Sequence, residues 1–210
     1  MKTTKETPKT KEQLLQASSE LMLAKGFTAT SIDEICEKAG VTKGGLFHYF
    51  ESKEDLGRAV LEYFWQSQMR MINEMPFNAM KDPLKRLHGF LDSFAAMAKN
   101  PQIRKSCLIG NFAQELSATH PKIRTDCDEK LSKFADMLKQ ILDDVKGKYA
   151  VRSSIDTKSL AEHFVALFQG SLILAKAKND TKVIEASIRH FRSYLETLFK
   201  KSGKSVGKKG

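Results

Sequence analysis

Apolar positions recur along this chain at three- and four-residue spacing and hardly ever in strict alternation. That pattern predicts helices rather than strands. Leu14, Ala17, Ser18, Leu21 and Met22 mark the inner face of a first helix over residues 8–25. Gly26 ends it, and Phe27 is placed to plug the core behind it. Ser31 followed by Glu34 makes a capping box, and Ile32, Ile35, Cys36 and Ala39 fall on one face of a second helix. Gly40 stands where that helix must stop and turn. Thr42 then caps a helix of only about two turns, which carries Lys43 to Phe50. Ser52 with Asp55 opens a fourth helix that runs to about Asn73, with Leu56, Val60, Phe64 and Met71 along its stripe.

Five more helices are predicted beyond a break at Pro76, Asn78 and Pro83. The first runs over residues 83–99 and the next, capped by Ser106, over 107–117. A long helix follows Pro121 to about Lys148, with Ile123, Cys127, Leu131, Phe134, Leu138, Ile141 and Leu142 on one side. Asp156 opens a helix to about Lys178, and the last covers residues 181–200. The fold class is therefore all-α, with about nine helices and no internal repeat.

Helix, glycine turn, short helix is the helix-turn-helix pattern, whose second helix enters the DNA major groove. The letters go further. Residues Ala39 to Phe50, AGVTKGGLFHYF, followed by Ser52-Lys53-Glu54-Asp55-Leu56, resemble the DNA-binding signature of the TetR family of transcription regulators. Leu21 to Thr30, LMLAKGFTAT, resembles the end of that family's first helix. The resemblance covers roughly residues 9–60. It implies a DNA-binding domain, here residues 1–52 with the N-terminal tail, and a helical regulatory and dimerisation domain over 53–201; composition adds a basic, disordered tail over 202–210.

Within the short helix, Thr42, Lys43 and His48 can reach base edges or phosphates, and Ser31 is counted with them. Gly44 and Gly45 each cost roughly 1 kcal/mol of helix stability against alanine. They have two readings: close approach to the groove floor, or a capped helix start. The resemblance implies that Thr42 to Gly45 lie nearest the bases and that Tyr49 and Lys53 clamp the DNA backbone. Phe47 is either core or, as the resemblance implies, a contact to a thymine methyl. Leu46 and Phe50 are expected in the core.

Charge adds less than the motif. The net charge of +10 favours a polyanion, but residues 200–210 hold five lysines and no acid. The tail also has the composition of a disordered segment. Three cysteines and five scattered histidines predict no disulfide framework, metal or cofactor. No run of 18 apolar residues predicts a membrane span, and the N-terminus lacks the apolar region of a signal peptide, so a cytoplasmic protein is expected. No nucleophile–base set or phosphate loop suggests an enzyme.

The second half offers a sensing reading. Cys107 stands at a predicted helix start after Arg104 and Lys105, and both features lower a thiol pKa. Cys107-Leu108, Glu115 and the helix ending at Lys176 resemble, loosely, the NemR-like electrophile-sensing subgroup of the family. Cys107 is thus a sensor with Lys176 beside it, or a core cysteine; Cys36 and Cys127 read as core. Phe94, Phe112, Phe134 and Phe168 are core first; the resemblance, which implies a ligand cavity there, makes them candidate lining second. Phe164, Val165, Phe168, Leu172, Phe191, Leu195 and Leu198 supply the apolar surface expected of a homodimer. The function expected is a repressor that binds a palindromic operator and is released by a small ligand, an electrophile or an oxidant. Two other classes stay open: a constitutive, low-specificity DNA binder, and a helical ligand carrier or enzyme without a DNA role.

Overall fold

A computed structural model describes residues 8–99, 107–149 and 155–199. Among them are nine α-helices, one 3-10 turn and no strand. In order they are α1 (Pro8–Lys25), α2 (Ile32–Ala39), α3 (Lys43–Tyr49), α4 (Lys53–Asn73), the turn Pro76–Ala79, α5 (Pro83–Met97), α6 (Leu108–Leu116), α7 (Pro121–Lys148), α8 (Thr157–Lys178) and α9 (Lys182–Phe199). The C-terminal lysine tail, and Arg104, Lys105 and Ser106, lie outside the described residues.

The helices gather into two compact units. One holds α1 to α4, α6 and α7 through Lys133; the other holds the 3-10 turn, α5, α7 from Phe134, α8 and α9. The boundary read from the sequence fell after residue 52 and carried α4 into a second domain. By packing, α4 stays with the first unit. Its Leu56, Val60 and Leu61 share one buried core with Leu14 of α1, Ile35 of α2 and Leu46 of α3. Leu108, Phe112 and Leu116 of α6 enter the same core, so the unit around the short helix is larger than three helices.

Local hydrogen bonds set the starts of its helices. The Ser31 hydroxyl oxygen accepts the Glu34 N–H at 3.2 Å, and Glu34 accepts the Ser31 N–H at 2.8 Å, completing the capping box. Gly40 closes α2 at φ 66°, a left-handed angle that glycine adopts without Cβ strain. Thr42 caps α3 by accepting the Gly45 N–H at 3.1 Å, and Ser52 caps α4 by accepting that of Asp55 at 3.0 Å. Between α4 and α7, Arg58 donates twice to Asp126, at 2.6 and 3.1 Å. The nearly buried Lys130 pairs with Glu62 at 2.8 Å.

The second unit is built on phenylalanine. Phe90 and Phe94 lie 4.6 Å apart between centroids, Phe164 and Phe168 stack within 10° of parallel, and Phe94 meets Phe168 edge-on at 5.3 Å. Phe134 and Phe191 close the cluster from α7 and α9. Asp82 anchors the start of α5. Its carboxylate accepts the Lys85 N–H at 2.9 Å, the Lys148 ammonium at 2.7 Å and the Tyr149 hydroxyl at 2.5 Å. The bond from Lys148, then that from Tyr149, holds this carboxyl well below the usual range.

Candidate nucleic-acid interface

α3 is seven residues long and contains two glycines, too short to persist without its surroundings. It exists because Thr42 caps it and because Leu46, with no exposed surface, and Phe50, at 2%, pin it to the core. That leaves Lys43, Gly44, Phe47 and His48 on the outer face, all exposed. Phe47 is 49% exposed, a large apolar ring held in solvent.

The two glycines separate. A Cβ on Gly45 would lie 2.8 Å from a methyl of Val41 and 3.4 Å from the Thr42 hydroxyl oxygen, so this glycine packs against its own helix start. A Cβ on Gly44 would meet nothing closer than that hydroxyl at 4.0 Å. Only Gly44 leaves an open face for an external surface to approach.

Other expected DNA-facing residues are partly engaged inside the unit. Ser31 and Thr42 use their hydroxyls as caps. Lys43 pairs with Asp33 across the turn at 2.7 Å, both side chains largely exposed, and this bond raises the lysine pKa. Tyr49 departs from the expected backbone clamp. It follows Leu46 by three positions and so shares the inward side of α3. Its hydroxyl is buried, with no hydrogen-bond partner among the described residues, and its ring packs against the core.

Lys53, at the first turn of α4, also faces inward. Its ammonium lies 4.6 Å from the centre of the Phe27 ring and donates to the Thr28 carbonyl at 3.3 Å. Burial lowers its pKa, against the attraction of Glu115 and Glu34. Glu115 of α6 reaches the same turn: its carboxylate accepts the Phe27 N–H at 2.9 Å and the Thr28 N–H at 2.7 Å. No local pattern in the sequence marks that bond, since it spans 87 residues.

The expected sensor and cavity residues are divided between the units. Cys107 is itself the N-cap residue of α6, in place of Ser106, and makes no side-chain cap bond. It is half-buried against the first core, whereas Cys36 and Cys127 are buried. Burial, then the charge of Asp126, pushes the Cys127 thiol up to about 12, and burial also raises that of Cys36. Lys176 lies in the second unit, exposed on the last turn of α8. Phe112 is not with the other rings. It is fully buried in the first unit, edge-on to Phe27 at 5.6 Å. Phe94, Phe134 and Phe168 meet one another in the second. A separate cleft of about 460 Å³ there is lined by Ile155, Asp156, Ser159, Leu160, His163, Tyr194 and Leu198.

Most of the expected dimer residues face inward. Phe164, Phe168, Leu172, Phe191 and Leu195 are buried within their own chain, and Val165 and Leu198 are half-buried. α8 is apolar around most of its circumference, so its periodicity did not reveal which side faces the core. On α8 and α9 the large apolar side chains that are exposed, among the described residues, are Ile173, Leu174 and Tyr194. Among the described residues no helix is long and apolar enough to cross a membrane, and no cluster of ligands suits a metal.

Residues 14–60 match the bacterial regulatory proteins of the tetR family, and residues 83–191 match the tetracyclin repressor-like C-terminal domain. An uncharacterized HTH-type transcriptional regulator of Lactococcus lactis is 30% identical over 199 residues, covering 92% of this chain and 95% of its own. The HTH-type transcriptional repressor DhaR of a Mycobacterium species is 25% identical, over 83% of this chain and 86% of its own. The crystal structure of reduced Escherichia coli NemR superposes with a TM-score of 0.75 at 25% identity, over 88% of this chain and 96% of that one.

Proposed function

The chain belongs to the tetR family of bacterial regulatory proteins, and from that premise we propose that it is a cytoplasmic repressor that binds a palindromic operator as a homodimer. The observation that carries this is the outer face of α3. A capped helix presents Lys43, Gly44, Phe47 and His48 outward, with room at Gly44 for a groove floor. A two-turn helix reads only a few base pairs, so a second copy supplies the other half-site. The exposed Ile173, Leu174 and Tyr194 support α8 and α9 as the dimer surface, rather than the buried residues expected there.

Selection of bound sequences from random DNA by the purified protein tests the reading. A two-fold symmetric consensus is expected; recovery of no consensus at all would sink it. Lys53 provides a finer measurement. On binding, its ammonium exchanges the Thr28 carbonyl and the Phe27 ring for a phosphate. Lys53→Ala then reduces the magnitude of the log K against log salt slope by about 1. An unchanged slope means that Lys53 stays in its internal seat.

Release follows one of two routes, a small ligand in the second unit or modification of a thiol. One observation favours the thiol: Cys107 is the most accessible of the three cysteines and starts a helix. A buried thiol with a raised pKa forms little of the reactive thiolate. Limited oxidation followed by mass-spectrometric mapping is expected to find Cys107 modified before Cys36 and Cys127. Equal rates at all three would leave the ligand route.

A further inference from the structure

We propose that Glu115 is a positioning residue for DNA recognition: from α6, its carboxylate sets the α1–α2 turn and, through it, the seat of Lys53 and the attitude of α3. The proposal rests on the DNA-binding reading given above.

The turn is built to receive a carboxylate. α1 ends at Lys25, and Gly26 turns the chain at φ 91°, a left-handed angle. This brings two successive amides, of Phe27 and Thr28, toward α6, where the two oxygens of Glu115 accept one each, at 2.9 and 2.7 Å. Gly26 is constrained twice. Besides its angle, a Cβ there would lie 2.9 Å from the Glu115 carboxylate. Burial works against the charge on Glu115, but the bonds from Thr28 and Phe27 outweigh it and hold the carboxyl below the usual range.

Three parts of the unit meet at this turn. The Phe27 ring packs edge-on against Phe112 of α6, and a Cβ on Gly57 of α4 would lie 2.7 Å from it. Lys53 of α4 covers the same ring and donates to the Thr28 carbonyl. Thr30 returns its hydroxyl to the Gly26 carbonyl at 2.7 Å, just before the Ser31 cap of α2. A displacement of the carboxylate therefore moves the entry to α2 and the lysine offered to phosphate together. Glu115 touches no DNA in this scheme.

The test compares the full-length wild type with Glu115→Gln on two DNAs, the selected operator and a scrambled duplex. Glutamine keeps the shape but has one acceptor oxygen for two amides, and no charge to hold Lys53. Operator affinity is expected to fall about tenfold, since hydrogen bonds to a charged group are the strong ones. Scrambled-DNA affinity is expected to hold or rise, because an acid has been removed. A purely structural role would lower both affinities in step with the folded fraction, read by circular dichroism. An unchanged ratio in a folded variant overturns the proposal. A wild type that binds operator and scrambled duplex alike overturns the DNA-recognition reading instead, and the proposal with it. Should Glu115→Gln fail to fold, Glu115→Asp, one methylene shorter, is read by the same ratio. Its criterion is a several-fold loss on operator alone.

Discussion

In the unit that carries α3, three helix starts are fastened by a hydroxyl that accepts an amide three residues along, at Ser31, Thr42 and Ser52. In the other unit, Phe90 of α5 meets Phe134 of α7 and Phe164 of α8, and Phe164 meets Phe191 of α9. The first arrangement places short segments by bonds within a few residues. The second gains its stability from rings far apart in sequence. Under the proposed function, a reading surface needs defined backbone ends, whereas a helical body packed from rings can be rebuilt as bulk. The difference shows which substitutions shift geometry and which shift stability.

The largest effect is expected from the ring cluster. Phe164→Ala removes a fully buried ring at its centre, and truncations of this kind cost about 3–5 kcal/mol. Ser31→Ala, which removes the capping box, is expected to cost only about 1 kcal/mol. Denaturant unfolding of both variants breaks the comparison if the two losses are equal.

The glycines of α3 give an intermediate effect and sharpen the contrast inside one unit. Gly45→Ala forces a methyl against Val41, an overpacking cost of about 1–3 kcal/mol against about 1 kcal/mol of helix propensity gained, so a net loss of up to about 2 kcal/mol is expected. Gly44→Ala meets open space and is expected to stabilise the helix by up to about 1 kcal/mol while weakening operator binding. Thermal unfolding and binding titrations on the same samples decide the pair. If both variants lose stability alike, Gly44 belongs to the fold and not to the DNA face.

The smallest effect is one of pH. The Glu34 carboxyl is held down from 4.5 to about 2, first by the Lys25 ammonium and then by the Ser31 amide. A carboxylate with a lowered pKa in the folded state contributes stability above its unfolded pKa. That contribution is lost as pH falls through the folded value. The start of α2 is therefore expected to loosen between about pH 4.5 and 2. Amide exchange at Glu34 followed down that range measures it, and no change against a Glu34→Gln control would remove the assignment.

Helix ends were legible in the sequence, and so were helix faces wherever the apolar stripe is narrow: Leu14, Ala17, Ser18 and Met22 of α1 and Ile123, Cys127, Leu138 and Ile141 of α7 are buried as their spacing predicts. α1 occupies residues 8–25 as the pattern predicts, and the caps at Thr42, Ser52 and Asp156 fall where the sequence places them. A cap is a local event between residues three apart, so it leaves a local signal. Face assignment fails where a helix is apolar on several sides, as in α8, where Phe164 and Leu172 are buried while Ile173 and Leu174 are exposed. Phe112 was grouped with Phe94 and Phe134 by composition, yet it packs on Phe27, because nothing in a ring's own neighbourhood names its distant partner. Tyr49 reads as a phosphate contact from its hydroxyl and from the resemblance, and its step of three from Leu46 is the signal that turns it inward.

The seven residues of α3 divide into two vocabularies. Gly45, Leu46 and Tyr49, together with Thr42 and Phe50 at the caps, hold the helix in place, and rewriting them is expected to cost stability. Lys43, Gly44, Phe47 and His48 are exposed on the outer face, where Lys43 pairs with Asp33 and the His48 ring meets Tyr49 edge-on. Under the proposed function, operator preference has four editable letters, and members of a library confined to them are expected to fold. The same partition forbids the shortcut of excising the helix as a peptide. Away from the unit that shapes it, a heptapeptide with two glycines is a random coil and carries no message.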